Sequence, residues 1–162
     1  MEDHRTRLHV LIVDDDLIAI ERYTEWLEAA GHRVSTRTAA VGTAADVVEM
    51  RPDVILLDVM MPGLRGDDLA RLLKRHPATR HVAVILHSSL TSDKLRPLIM
   101  TSGALGAIEK TQTQSVFAFA FHALVIKLRR SNPTVESHPV PAASGTHRIA
   151  DRDEHSPARK VR

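Results

Sequence analysis

Cysteine is absent from the chain, which excludes disulfides, thiolate metal sites and a cysteine nucleophile together. Aromatic residues are scarce, at one Trp, one Tyr and three Phe, and the phenylalanines sit together as Phe117, Phe119 and Phe121. No aromatic platform interleaved with basic residues therefore exists for stacking bases. A net charge of +2 adds little reason to expect a nucleic acid partner. Long apolar runs are also missing: none nears the ~20 residues that cross a bilayer, so no membrane partner is expected. The opening "MEDHRTRLHV" lacks the charge, apolar stretch and small-residue cleavage site of a signal peptide, which leaves a cytoplasmic location as the expectation. Core material, by contrast, is plentiful. Hydrophobic residues make up 43% of the 162, enough for one domain of about 100 to 150 residues with an appendage.

From residue 8 to about 130, short apolar runs alternate with longer helical patterns, which signals parallel strands joined by crossover helices. "LHVLIV" (8–13), "RVSTR" (33–37), "DVILL" (53–57), "VAVILH" (82–87) and "AIE" (107–109) read as strands, the second an alternating strand of edge type. Leu17, Ile20, Tyr23, Leu27 and Ala30 recur at helical spacing up to Gly31. Further helices are predicted over 43–50, over 67–75 with Asp67 or Asp68 at its start, over 92–101 with Pro97 in the first turn or at a kink, and over 113–130. Because crossovers are right-handed, the product is an open parallel sheet covered on both faces, with function at the carboxyl ends of the strands. Residues 1–7 are a lead. Four of the eight prolines fall within 133–157 and periodicity ends there, so residues 131–162 are expected to be a disordered tail with no output domain.

The first polar residues at the ends of the core strands are Asp14-Asp15-Asp16, Asp58, Ser88-Ser89 and Lys110. A parallel sheet brings all of these ends to one edge. Clustered carboxylates repel unless a cation compensates them, and an all-oxygen set suits a hard divalent ion, Mg2+ before a soft metal. A lysine on a flexible stem supplies a point charge for Asp58 or an incoming phosphoryl oxygen, and a serine hydroxyl can donate to another. Nucleophile, metal and neutralising donors are the parts of phosphoryl transfer onto a carboxylate. Taken alone, Asp14 to Asp16 could be a solvated turn with a helix cap, and Asp58 a strand-ending turn residue.

With "LIVDDD" (11–16), "VILLDVMMPG" (54–63), "ILHSSL" (85–90) and "GAIEK" (106–110) in this order and spacing, the chain resembles the receiver domain of two-component response regulators over residues 8–130. The resemblance implies a flavodoxin-like (βα)5 doubly wound sheet of strand order 2-1-3-4-5. It also implies that Asp58 is the phosphoacceptor, Asp15 a direct and Asp14 an indirect Mg2+ ligand, Met60 a ligand through its backbone carbonyl, Ser88 the switch hydroxyl and Lys110 the phosphate-binding cation. Asp16 is left as the cap of the first helix. The implied partners are a histidine kinase or histidine phosphotransfer protein and a downstream protein target. In this reading the chain is not an enzyme beyond its own phosphorylation and dephosphorylation.

Two departures stand out. Ala107 occupies the position where receivers carry an aromatic residue, and Thr111 follows the lysine where proline is common. Met60 and Leu90 are apolar where a polar side chain could orient an attacking water, so a long-lived acyl phosphate is expected. The run "VFAFAFHALVI" (116–126) is apolar on more than one helix face, which leaves open either burial or an interface, for example a homodimer through residues 92–130. Histidines such as His87 and His122 share no ligand spacing and read as scattered and solvated. "ARKVR" at the end reads as a solvated stub. A rival from another class is an aspartate-nucleophile, HAD-like phosphatase using Asp14 with Asp16, but the late acidic pair it needs is missing.

Overall fold

The computed structural model describes residues 7–111, 113–131 and 147–148. Strand and helix alternate as expected: β1 (His9–Val13), α1 (Leu17–Ala29), β2 (Arg33–Arg37), α2 (Thr43–Met50), β3 (Val54–Asp58), α3 (Gly66–Arg75), β4 (Ala83–Ser88), α4 (Ser92–Ser102), β5 (Gly106–Glu109), α5 (Gln114–Ser131) and β6 (His147–Arg148). All strand pairs are parallel, in the order β5-β4-β3-β1-β2-β6. Within it lies the predicted order 2-1-3-4-5.

Every residue of β1 and β3 is buried, because both faces of the sheet are covered. Side-chain alternation sends Val10, Ile12, Val54, Leu56, Ile85 and Ile108 toward α1 and α5. It sends Leu11, Val13, Ile55, Leu57, Val84 and Leu86 toward α2, α3 and α4. Each fully buried aliphatic side chain contributes about 1.5–3 kcal/mol, so these two layers supply most of the driving force.

Four details differ from expectation. β2 does not alternate: Val34, Ser35 and Thr36 are all buried, and Ser35 is accommodated by a 2.9 Å hydrogen bond to His9 Nε2. No strand was expected in the tail, yet His147 and Arg148 pair with Ser35 and Thr36. The open edge of β2 offers backbone groups that any extended segment can pair with, whatever its side chains. Ser131, placed in the predicted tail, ends α5, and residues 132–146, 149–162 and 1–6 lie outside the described residues. α3 begins at Gly66, one residue early, and its carboxylates do not cap it, since Asp67 instead pairs with Arg65 Nε at 3.0 Å. Pro97 is the sixth residue of α4 rather than in its first turn, so the Asp93 carbonyl has no N–H four residues on.

α5 buries Phe117, Phe121, Val125 and Leu128 at helical spacing. Its surplus apolar residues are exposed, Phe119 to 80%. Phe119, with Trp26 and Leu27 of α1, edges an open groove of about 320 Å³ between the two helices.

Candidate functional site

Register brings the acids together. Val13 pairs with Leu57, so Asp14 and Asp58 stand level at the ends of neighbouring strands. Ser88 pairs with Glu109, and Lys110 follows immediately, with its N–H bonded to the Ser88 carbonyl at 2.8 Å. Asp14, Asp58 and Lys110 continue the alternation of Ile12, Leu56 and Ile108, so all three are placed on the α1 and α5 side of the rim.

The carboxylates of Asp14, Asp15 and Asp58 offer oxygens within 4.8 Å of one another, with Asp14 and Asp58 buried and Asp15 exposed. The Lys110 ammonium lies 2.7 Å from Asp14 Oδ2 and 3.6 Å from Asp58 Oδ2. Asp14 Oδ1 accepts from the Asp16 N–H at 3.0 Å, and Asp58 Oδ1 from the Met60 N–H at 3.3 Å. Apart from the ammonium, the buried Asp14 Oδ2 meets no donor among the described residues. Burial pushes the Asp14 carboxyl above its ordinary range, and the Asp58 charge adds to this. Lys110 and the Asp16 N–H pull the other way without cancelling it. Burial alone would lower the Lys110 ammonium, but the Asp14 carboxylate, then Asp58 and Asp16, outweigh it and the net shift is upward. One ammonium thus faces two buried carboxylates, with a third acid in water beside them. This all-oxygen, acid-rich set is able to hold a divalent cation.

The other predicted residues fall around this centre. Asp16 caps α1, its Oδ1 accepting from the N–H groups of Ile18 at 2.9 Å and Ala19 at 3.3 Å. Ser88 ends β4 fully buried, and its hydroxyl accepts from the Leu90 N–H at 3.3 Å rather than meeting the carboxylates. The Met60 side chain is exposed over the rim. Ala107 packs among the aliphatic side chains of the α3 and α4 face.

Three residues of consequence were missed or misread. His87 was read as solvated but is 1% exposed, because it continues the buried face of β4. Its ring meets Tyr23 edge-on at 4.2 Å, and burial, assisted by the Lys110 charge, depresses its pKa to about 3. Gly66 carried no mark in the sequence, yet a Cβ there would stand 1.9 Å from the Asp58 carbonyl oxygen. Only glycine lets the chain re-enter so close to the end of β3. Tyr23 was read only as one residue of the first helix's apolar repeat. Its hydroxyl donates to the Thr111 carbonyl at 2.8 Å and accepts from the Thr111 N–H at 2.9 Å. Threonine after the lysine therefore has a use: it offers an N–H that proline lacks.

Comparison with known proteins agrees with this geometry. The family model described as the response regulator receiver domain matches residues 10–120. Response regulator PleD of Caulobacter vibrioides is 37% identical over 101 residues, covering 62% of this chain and 22% of PleD. DNA-binding response regulator MtrA of Mycobacterium leprae is 31% identical over 155 residues, covering 96% of this chain and 63% of MtrA. The chain therefore spans less than two thirds of the length of either relative. Among solved structures, the chemotaxis response regulator CheY4 of Vibrio cholerae superposes with a TM-score of 0.67 at 23% identity, covering 74% of this chain and 99% of that one. The signal receiver domain of a histidine kinase from Syntrophus aciditrophicus gives 0.66 at 26% identity, covering 85% and 99%. By its family match, its fold and its acidic rim, the chain belongs to the response regulator receiver domain family of two-component signalling.

Proposed function

We propose that Asp58 accepts a phosphoryl group from a phosphohistidine of a histidine kinase or phosphotransfer protein. An Asp58 carboxylate oxygen attacks phosphorus, the P–O bond forms as the P–N bond breaks, and the released imidazole nitrogen takes a proton from solvent. The observation that carries this reading is the Lys110 ammonium, 2.7 Å from Asp14 and 3.6 Å from Asp58. A cation held between two acids at the strand ends is placed to neutralise oxygens of an entering phosphoryl group.

Asp14, Asp15, Asp58 and the Met60 carbonyl are the groups that would hold Mg2+, which when bound would supply charge neutralisation at the phosphoryl oxygens. Within this reading Ser88 turns from Leu90 toward the phosphoryl group. The apolar Met60 and Leu90 position no water, so the acyl phosphate persists. Among the described residues no helix is long and apolar enough to cross a membrane, and the protein is proposed to act in the cytoplasm by docking to a protein target. Self-association through 92–130 is one such contact. Response regulators such as MtrA bind DNA by name, and an equivalent role for this protein would need a segment beyond the receiver.

Incubation with Mg2+ and acetyl phosphate, followed by intact mass measurement, tests the assignment. The wild type should gain one phosphoryl mass and Asp58→Asn should gain none. A phosphatase using Asp14 as nucleophile would behave in the opposite way: turnover would survive Asp58→Asn and vanish in Asp14→Asn. Asp16, the second acid that chemistry needs, is already engaged by two backbone N–H groups of α1.

A further inference from the structure

Among the described residues Lys110 is the one cation paired with the acidic rim, and a flexible four-carbon stem does not fix where its ammonium stands. Its backbone is fixed instead. On one side the Lys110 N–H bonds the Ser88 carbonyl at 2.8 Å. On the other, both polar backbone groups of Thr111 are taken by a single atom, the Tyr23 hydroxyl, across 88 residues of sequence. That hydroxyl is itself held. Tyr23 is 1% exposed, and its ring meets Trp26 at 5.1 Å, His87 at 4.2 Å and Phe117 at 4.8 Å. A ring packed on three sides has no second rotamer to visit, so its oxygen is a fixed point from which the loop after β5 hangs.

We infer that Tyr23 is a positioning residue for Lys110: its hydroxyl holds the backbone from which the ammonium reaches Asp14 and Asp58. The role needs a group that donates and accepts at once, which a phenolic hydroxyl supplies and a phenylalanine of the same shape does not. It assigns α1 a share in the site beyond the Asp16 cap, and it needs no aromatic residue at Ala107. Its importance for phosphoryl transfer rests on the function proposed above, whereas the positioning itself does not.

The experiment compares the wild type with Tyr23→Phe, Thr111→Pro and the double variant by three readouts. Amide exchange reads the Thr111 N–H, trace acetylation with peptide mapping reads the Lys110 amine, and intact mass reads the phosphoryl transfer rate from acetyl phosphate with Mg2+. In the wild type the Thr111 amide should exchange slowly. Tyr23→Phe should still melt cooperatively, acetylate several-fold faster at Lys110 and accept phosphoryl groups about tenfold more slowly, because a displaced ammonium no longer meets the entering oxygens. Adding Thr111→Pro should slow transfer little further, since the hydroxyl that bonded the Thr111 N–H is already gone. Fast Thr111 exchange in the wild type overturns the inference without reference to any variant. So does unchanged Lys110 acetylation in Tyr23→Phe, or a double variant about tenfold slower again than Tyr23→Phe, which would show that the two groups act independently. A wild type that takes no phosphoryl group while Tyr23→Phe still frees Lys110 would sink the proposed function and leave the positioning role standing.

Discussion

The two faces of the sheet are made of different material. Toward α1 and α5 the core includes Tyr23, Phe117, Phe121 and the partly buried Trp26, with the His87 ring among them. Toward α2, α3 and α4 it is aliphatic throughout. Rings pack in few arrangements, whereas Leu, Ile, Val and Met side chains repack at low cost. Asp14, Asp58 and Lys110 stand on the aromatic side, while Ala107 and the proline-containing α4 lie on the other. Under the proposed function the ring-packed face would carry the chemistry, and the aliphatic face would be the one to shift if Ser88 turned.

Truncation tests the contrast most strongly. Phe117→Ala should cost about 3–5 kcal/mol in urea unfolding, since four rings lose a neighbour. Leu95→Ala, at 2% exposure on the aliphatic face, should fall at the lower end of the 2–5 kcal/mol range because that face collapses around the loss. Equal costs would remove the distinction. Next in size is Gly66→Ala, whose methyl group would press on the Asp58 carbonyl. A loss of about 1–3 kcal/mol with slowed phosphoryl transfer is expected, and a variant with wild-type kinetics would show that the loop yields freely.

His87 sharpens the contrast by pH. Its folded pKa of about 3 lies below the ordinary 6.5, so its contribution to stability is complete above 6.5 and is lost as pH falls from 6.5 toward 3. The slope approaches one proton, ~1.4 kcal/mol per pH unit. Denaturant midpoints from pH 7 to 4 should fall less in His87→Phe than in the wild type. Matching slopes would mean that the ring is solvated. The smallest effect is at Asp14, whose carboxyl is raised by burial. Its favourable contribution is present below the ordinary carboxylate range and lost as pH rises through the folded value, so at neutral pH the charge is a net burden. Without metal, Asp14→Asn should melt slightly higher than the wild type, and adding Mg2+ should raise only the wild type.

Much of this was legible in the chain itself. Asp14, Asp58 and Lys110 interrupt apolar strands at their ends, and a parallel sheet leaves such residues one common rim. Alternation and helix spacing located nearly every element to within a residue or two. His87 escaped because an apolar strand covered on both faces does not show which way one polar residue points. The Tyr23 contact escaped because its partner lies 88 residues away, and hydrogen bonds at that range leave no local trace. Gly66 escaped because its need arises from the Asp58 backbone, not from its sequence neighbours. β6 escaped because edge pairing uses backbone groups that every residue carries.

Which side chain carries the phosphoryl group decides the proposed chemistry. After treatment with acetyl phosphate and Mg2+, borohydride reduction converts an aspartyl phosphate to homoserine, and peptide mass mapping reads its position. Homoserine at 58 and nowhere else is the predicted result. Homoserine at 14, or none at any aspartate of a cooperatively folded sample, would contradict it.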